Sequence, residues 1–140
     1  MKSRKLVLVM ILGFASFLVL SGCTKETTPS KFENLVTSAA VDEESYPINP
    51  LSVFDEKTPV IYLTGNVKDA AVGSKVIAEW YYMDEEEDVL LYQLTLTVTE
   101  TNMGFYFSLS KPTDDWYIGD YEIILFYDNV FMERVKFSVE

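Results

Sequence analysis

The side chains able to carry out covalent or metal chemistry are few in this sequence of 140 residues. It contains no histidine, so Ser-His-Asp and Cys-His catalysis and most zinc sites are excluded. Its single thiol is Cys23, and it has no glycine-rich phosphate loop. Carboxylates are abundant, with 22 Asp and Glu against 11 Lys and Arg, but abundance alone does not indicate acid–base catalysis. We therefore expect a protein that is not an enzyme and uses no cofactor.

The densest group of carboxylates is an unbroken acidic run at residues 84–88. Asp84, Glu86 and Asp88 are weak candidates for a calcium site, because Ca²⁺ takes oxygen ligands. The run lacks the spaced Asp, Asn and Gly of an EF-hand loop. It also joins two predicted strands, so the main prediction is a solvated loop whose charge discourages pairing at a sheet edge.

Cys23 follows a segment with the composition of a secretory signal. Lys2, Arg4 and Lys5 precede an apolar run of 15 residues at positions 6–20. A helix that spans a bilayer needs roughly 20 apolar residues, so the basic start and the short run favour a signal peptide over a membrane-spanning helix. A lone cysteine also excludes an intramolecular disulfide, and as a free thiol in an exported protein it would be open to oxidation.

The residues that end this segment, Leu20-Ser21-Gly22-Cys23, resemble the lipobox of bacterial lipoproteins. The resemblance implies cleavage between Gly22 and Cys23 and a diacylglyceryl group on the cysteine sulfur. It implies two or three acyl chains, whereas a single chain binds a membrane only marginally. We therefore expect a cleaved signal at residues 1–22 and a lipid-anchored chain that faces away from the cytoplasm. Because Thr24 is not Asp, the resemblance permits sorting to an outer membrane where the bacterium has one.

The mature chain is strongly acidic. Loss of residues 1–22 removes three cations and no anion, which leaves 8 Lys and Arg against 22 Asp and Glu and changes the net charge from −11 to −14. Such a surface repels phosphate backbones, so we expect no nucleic-acid partner. Residues 23–56 are rich in Ser, Thr, Glu and Pro without a sustained period, which predicts a flexible tether.

Residues 57–140 show the two-residue period of half-buried strands. Strands are predicted at residues 60–67, 75–83, 89–99, 103–109, 121–127 and 131–139. Short strands that alternate apolar and polar residues, separated by regular turns, indicate an all-β fold of antiparallel sheets packed as a sandwich.

The pattern of the last two strands predicts how they pair. The apolar sets place Phe131, Val135 and Phe137 inward, opposite Tyr121 and Ile123. Paired residues share a face, so Tyr121 should lie beside Phe137 and Ile123 beside Val135. A three-residue loop at residues 128–130 keeps this pairing, whereas a two-residue turn shifts it by one. We therefore predict the three-residue loop, with a positive φ at residue 129 or 130.

Two aromatic motifs give the sandwich a finer resemblance. Trp80 lies in the middle of an early strand, and Gly119 and Tyr121 form a Gly-x-Tyr pattern at the start of the penultimate one. They resemble the core tryptophan and the tyrosine corner of immunoglobulin-like domains, and residues 57–140 look like the Ig-like domains of bacterial surface lipoproteins. The resemblance implies six or seven strands. Both cysteines of the immunoglobulin disulfide are absent, so packing alone must stabilise the fold.

The strands carry more aromatic side chains than one small core can bury, so some must be exposed. Tyr82 and Tyr106 are the candidate binding face, because exposed tyrosines suit contacts with protein or sugar. The alternative is aromatic pairing that only stabilises the sheet. The sequence thus predicts a non-enzymatic binding module, held at a membrane by Cys23, for an envelope protein or glycan. An accessory subunit of an envelope complex, without its own ligand, is the alternative.

Overall fold

A computed structural model describes residues 31–140, which form a β-sandwich of two sheets. Its nine strands are β1 (Phe32–Val41), β2 (Pro47–Pro50), β3 (Val53–Phe54), β4 (Val60–Val67), β5 (Lys75–Met83), β6 (Asp88–Thr97), β7 (Met103–Ser110), β8 (Gly119–Tyr127) and β9 (Val130–Val139). Sheet A has the order β2-β1-β4-β7, and sheet B has the order β3-β9-β8-β5-β6. The all-β sandwich is confirmed, with nine strands rather than six or seven.

The order of the strands follows the immunoglobulin pattern. In sheet A the run β1-β4-β7 corresponds to strands A, B and E of that fold, and in sheet B the run β9-β8-β5 corresponds to G, F and C. Neighbouring strands pair antiparallel except β3, which pairs parallel with β9. The six strands predicted between residues 60 and 139 are all present, and their ends differ from the prediction by at most two residues.

The core lies between the sheets and is apolar and aromatic. On β5, the alternation of the sequence places Val76, Ala78 and Trp80 inward, and all three are buried. Trp116, in the connection between β7 and β8, is buried with them. Their partners from the other strands are buried as well: Ile61, Leu63, Val67, Phe105, Phe107, Tyr121, Ile123, Leu125, Phe137 and Val139. Burial of this many apolar side chains stabilises the domain without a disulfide.

The prediction of a flexible tether through residue 56 is wrong for the part that the structure describes. β1 pairs with β4 and β2, and β3 pairs with β9, so the sandwich begins at Phe32 rather than near residue 57. Phe32 and Phe54 are both buried and hold these strands to the core. Residues 23–30 of the predicted tether, and the signal peptide, lie outside the described residues.

A β-bulge explains why β1 has no visible period in the sequence. Its pairing with β4 shifts between Glu33 and Val36, and Asn34 has a positive φ of 54°. A bulge adds one residue to one strand and so inverts the alternation beyond it. The apolar residues on either side of the bulge therefore do not fall into one alternating set.

The final hairpin has the predicted central pairing but not the predicted loop. Tyr121 lies opposite Phe137 and Ile123 opposite Val135, as expected. The turn has only two residues, Asp128 and Asn129, both with positive φ as in a type I′ turn. The prediction of a three-residue loop is therefore wrong.

A bulge in β9 makes the short turn and the central pairing compatible. Leu125 pairs with Glu133 and Phe126 with Phe131, which leaves Met132 as the extra residue. Met132 packs against the core, whereas Phe131, predicted to face inward, is half exposed beside Phe126. The extra residue thus lies within the strand and not in the loop.

The tyrosine corner expected from the sequence is formed. The hydroxyl of Tyr121 donates a hydrogen bond to the carbonyl oxygen of Tyr117, at 2.6 Å. Gly119 between them has a φ of 143°, and a Cβ at this position would lie 3.1 Å from the ring of Tyr82. Glycine is therefore required here by both backbone conformation and space.

We expect Tyr121→Phe to lower the free energy of unfolding by about 1 kcal/mol, because it removes the hydrogen bond that the hydroxyl of the buried Tyr121 donates to the carbonyl of Tyr117. Burial of the phenol and, to a smaller extent, the neighbouring Tyr82 raise the pKa of Tyr121 to about 12, from 10.0. Between these two pH values the folded chain keeps a proton that the unfolded chain has lost. Stability contributed by Tyr121 is therefore full below pH 10 and falls as pH rises towards 12.

Urea denaturation of wild type and Tyr121→Phe across this pH range tests the point. The difference in free energy of unfolding between the two proteins should shrink as the pH rises. A difference that does not change with pH would show that the tyrosine is not held in its protonated form by the fold.

Candidate functional site

The structure separates the two tyrosines predicted to share a binding face. Tyr82 lies on the core side of sheet B, with its ring centroid 5.1 Å from that of the buried Tyr121, and its hydroxyl donates to the carbonyl of Ile118 at 3.1 Å. Tyr106 lies on the outer face of sheet A, 6.1 Å from Tyr62. Because they belong to different sheets, Tyr82 and Tyr106 cannot form one surface; Tyr82 has a packing role and Tyr106 remains exposed.

The outer face of sheet A holds a polar pocket of about 410 Å³ beside the β1–β2 turn. Its walls include Asn34, Glu44, Tyr46 and Asn66. The adjacent glycines at positions 65 and 104 also line it. Amide and carboxylate groups beside an exposed tyrosine can bind the hydroxyls of a small polar ligand.

A second bulge determines which side chains of β6 face inward. Trp80 pairs with Tyr92 and Tyr81 pairs with Leu90, so Leu91 is the extra residue. The sequence places Leu90 in the same row as Tyr92, but the bulge puts it on the outer side of the sheet. The inward row, which we call the β6 row, consists of Val89, Leu91, Tyr92, Leu94 and Leu96.

Two residues of the β6 row, Leu94 and Leu96, form one wall of an open groove between the edges of the two sheets. Leu94 and Leu96 face Met103, Phe105 and Phe107 of β7 across a volume of about 420 Å³. Tyr92 is 53% exposed and Val89 45% exposed, so the row is only partly covered. We call this space the β6–β7 groove. The alternating apolar residues without a charge at positions 89–99 are the sequence signal that could have indicated it.

The groove is open because sheet B extends one strand further than sheet A. β1 of sheet A contacts β9 of sheet B. Counting outward from this pair, β4 lies opposite β8 and β7 opposite β5. β6 then has no strand opposite it. Three residues of the apolar row on its inner side pack against the core, whereas Val89 and Tyr92 are half exposed at the position where sheet A would have a further strand.

Both strands that border the groove are free of charge. Neither β6 after Asp88 nor β7 contains an Asp, Glu, Lys or Arg. The acidic loop at residues 84–88 lies at the start of β6, and all of its side chains are exposed. The groove thus combines an apolar, uncharged length with one strongly anionic end.

The calcium candidates in this loop are not brought together. Within residues 31–140, the structure contains no group of three or more acidic, histidine or cysteine side chains placed to hold a metal ion. The side chains of Asp84, Glu86 and Asp88 are all exposed.

The lipidation site is not described by the structure. Gly22 and Cys23, the predicted cleavage and lipidation residues, lie outside the described range, as do Leu20 and Ser21. In the range that is described, no helix is long and apolar enough to cross a membrane.

Together, fold and site define a two-sheet β-sandwich with an immunoglobulin-like strand order and one apolar edge left uncovered. No family profile matches the chain, and no curated protein matches it. Among solved structures, it is similar to the β-D-glucoside glucohydrolase of Trichoderma reesei, with 16% identity and a TM-score of 0.40. The similarity covers 79% of this chain but only 19% of the glucohydrolase, so the chain spans about a fifth of that protein.

Proposed function

We propose that this chain is a lipoprotein, anchored through Cys23, whose sandwich is a non-enzymatic binding module outside the cytoplasmic membrane. The observation that supports binding is the β6–β7 groove, where the apolar β6 row is only partly covered and Val89 and Tyr92 are half exposed. Contiguous exposed apolar surface in a monomeric domain commonly marks an interaction site. The lipobox-like Leu20-Ser21-Gly22-Cys23 supports the anchor.

The groove favours an envelope protein as the partner. Its walls are mostly Leu, Phe, Met and Tyr side chains, and the polar side chains that line it are the hydroxyls of Ser45, Thr95 and Ser108. Apolar and aromatic side chains are typical of protein interfaces. Tyr92, half exposed and central in the row, is the side chain best placed to anchor a contact, since tyrosine is enriched among residues that dominate binding energies.

A glycan is the second candidate partner, and it uses a different site. The pocket beside the β1–β2 turn presents Asn34 and Asn66 next to the exposed Tyr46. Asn66→Ala should weaken capture of a glycan and leave capture of a protein at the β6–β7 groove unchanged. The remaining alternative, an accessory subunit without a ligand, is disfavoured by the same exposed apolar row.

The proposal is tested by cross-linking in intact cells followed by a pull-down of the lipoprotein. Tyr92→Ala should reduce capture of the partner by about tenfold, which corresponds to about 1.4 kcal/mol of binding free energy. Leu90→Ala is the matched control, because Leu90 lies two residues away on the same strand, is 47% exposed, and faces the opposite side.

The same pull-down should include a variant of Tyr106, one of the two tyrosines that the sequence indicates as a binding face. Tyr106→Ala changes an exposed side chain on the outer face of sheet A next to the groove and should have a smaller effect than Tyr92→Ala. Equal capture by wild type, Tyr92→Ala and Leu90→Ala would contradict the assignment of the binding surface.

A further inference from the structure

Two features lie side by side at the β6–β7 groove: the unpaired backbone edge of β7 and the partly exposed side chains of the β6 row. We infer that β7 accepts an extended segment of a partner polypeptide as a further strand of sheet A, and that this segment covers the β6 row. The inference rests on the proposed binding function and specifies the class of partner: a protein segment that binds as a β-strand.

The backbone of β7 is free along one edge. β7 pairs with β4 over all eight of its residues, and it is the last strand of sheet A, so its other edge has no neighbour among the described strands. Natural edge strands are commonly protected by a charge, a proline or a bulge. β7 contains no charged residue and no proline, and its pairing with β4 is regular throughout. Its edge is therefore open to strand addition.

An added strand would also cover the exposed side chains. Neighbouring strands lie about 4.8 Å apart and packed sheets about 10 Å apart. Since β7 lies opposite β5, the next position in sheet A lies opposite β6. Alternate side chains of the new strand would then contact Tyr92, Leu94 and Leu96, so one segment satisfies the free backbone groups and buries the apolar row together.

The same geometry disfavours a second copy of this chain as the occupant. Antiparallel pairing of two β7 strands about a two-fold axis would place both B sheets in one layer. Each β6 extends beyond its own β7, so it would occupy the space that the second copy fills with β5. A single extended segment, with no second layer behind it, avoids this clash.

The charges around the groove indicate which residues the partner segment should carry. β6 ends at Thr97 and β7 begins at Met103, so the acidic loop at residues 84–88 lies towards the Ser110 end of β7. Lys111, which follows that end of β7, is already paired with Asp115 at 3.3 Å. The segment that fits has apolar residues at alternate positions and Lys or Arg where it reaches the acidic loop, because opposite charges at the rim favour association and fix orientation.

Synthetic peptides test the inference with the folded domain and with the full lipoprotein in detergent. The probe is a blocked peptide of about ten residues, in which valine and threonine alternate and two lysines follow. We expect saturable binding by fluorescence anisotropy, with slower amide hydrogen exchange in β7. N-methylation of alternate peptide nitrogens should abolish binding, because it removes the hydrogen bonds of one strand edge. Replacement of the two lysines by glutamates should weaken binding severalfold.

Variants of the domain separate strand addition from non-specific adsorption. Tyr92→Ala should weaken binding of the peptide about tenfold, whereas Leu90→Ala should bind as wild type does. No saturable binding, equal binding of the N-methylated peptide, or exchange protection in β6 instead of β7 would overturn the inference. A concentration-dependent dimer in sedimentation that Tyr92→Ala dissociates would overturn it as well, in favour of a second copy.

The two proposals can fail separately. If partner capture in cells depends on Tyr92 but peptides do not bind as strands, the binding function stands and strand addition is wrong. If peptides bind at β7 but capture in cells is independent of Tyr92, the edge accepts strands while the biological binding surface lies elsewhere.

Discussion

Cys23→Ala should transfer the protein from the membrane fraction almost completely to the soluble fraction. Two or three acyl chains on Cys23 would bury many CH₂ groups at about 0.8 kcal/mol each, which makes anchoring effectively permanent. A chain cleaved before Cys23 would carry 8 cations against 22 anions, a net charge of −14, and such a charge does not favour binding to anionic lipid. Cell fractionation with a salt wash, followed by immunoblotting, measures the effect.

The matched control is Ser21→Ala, which replaces one small residue of the lipobox-like motif by another and should leave the protein at the membrane. The Cys23→Ala protein should also melt at the wild-type temperature, because the sandwich begins at Phe32. If Cys23→Ala still sediments with membranes after the salt wash, the lipid anchor is not what retains the protein, and the resemblance to the lipobox is misleading.

Trp80→Ala should lower the free energy of unfolding by about 3–5 kcal/mol. The side chain is 1% exposed, and its ring lies 6.0 Å from that of Phe137 in an edge-on arrangement. Its removal leaves a large cavity in the core between the two sheets. Stabilities of single domains are about 5–15 kcal/mol, so the variant should lose a large share of the total. Urea denaturation at neutral pH measures it.

Two variants distinguish loss of packing from other effects. Trp80→Phe keeps an aromatic ring and removes a buried Nε1 that has no hydrogen-bond partner among the described residues, so it should cost less than Trp80→Ala. Tyr117→Ala removes an aromatic side chain that is 66% exposed and should change stability by a fraction of the Trp80→Ala loss. A wild-type midpoint for Trp80→Ala would show that Trp80 does not organise the core.

The regular strands could be predicted from the sequence because apolar residues occupy every second position along the stretches that are buried. β4, β5, β7 and β8 each bury alternate apolar residues on one side, and Trp80 and Tyr121 lie where the immunoglobulin pattern expects them. The same alternation predicts the pairing of Tyr121 with Phe137. Paired residues point to the same face, so a register that shifts by one residue would place inward side chains opposite outward ones.

The errors arise where one residue is added to a strand. Bulges in β1, β6 and β9 each shift the alternation by one, and they account for the strand read as tether, for the misplaced Leu90 and for the predicted three-residue turn. A bulge is stabilised by contacts with a neighbouring strand, so the sequence of one strand alone does not reveal it.

The candidate site could be predicted only in part from the sequence, because it depends on the absence of a strand of sheet A opposite β6. The apolar residues of β6 are visible in the sequence, and Tyr106 was correctly expected to be exposed. That β6 extends beyond sheet A is a property of the strand order, which brings together residues distant in sequence. Local patterns therefore identified the side chains but not the groove that they line.

Site-specific photo-cross-linking of the full chain in intact cells tests the central claim most directly, that it is a membrane-anchored binding module. Tyr92 and Leu90 are replaced, one at a time, by a photoreactive phenylalanine derivative, and the membrane fraction is analysed after irradiation. A membrane-bound binding module that uses the β6–β7 groove predicts a discrete covalent adduct from position 92 and none from position 90, which faces the other side of the same strand. Adducts of equal yield from both positions, or adducts from position 90 alone, would contradict it.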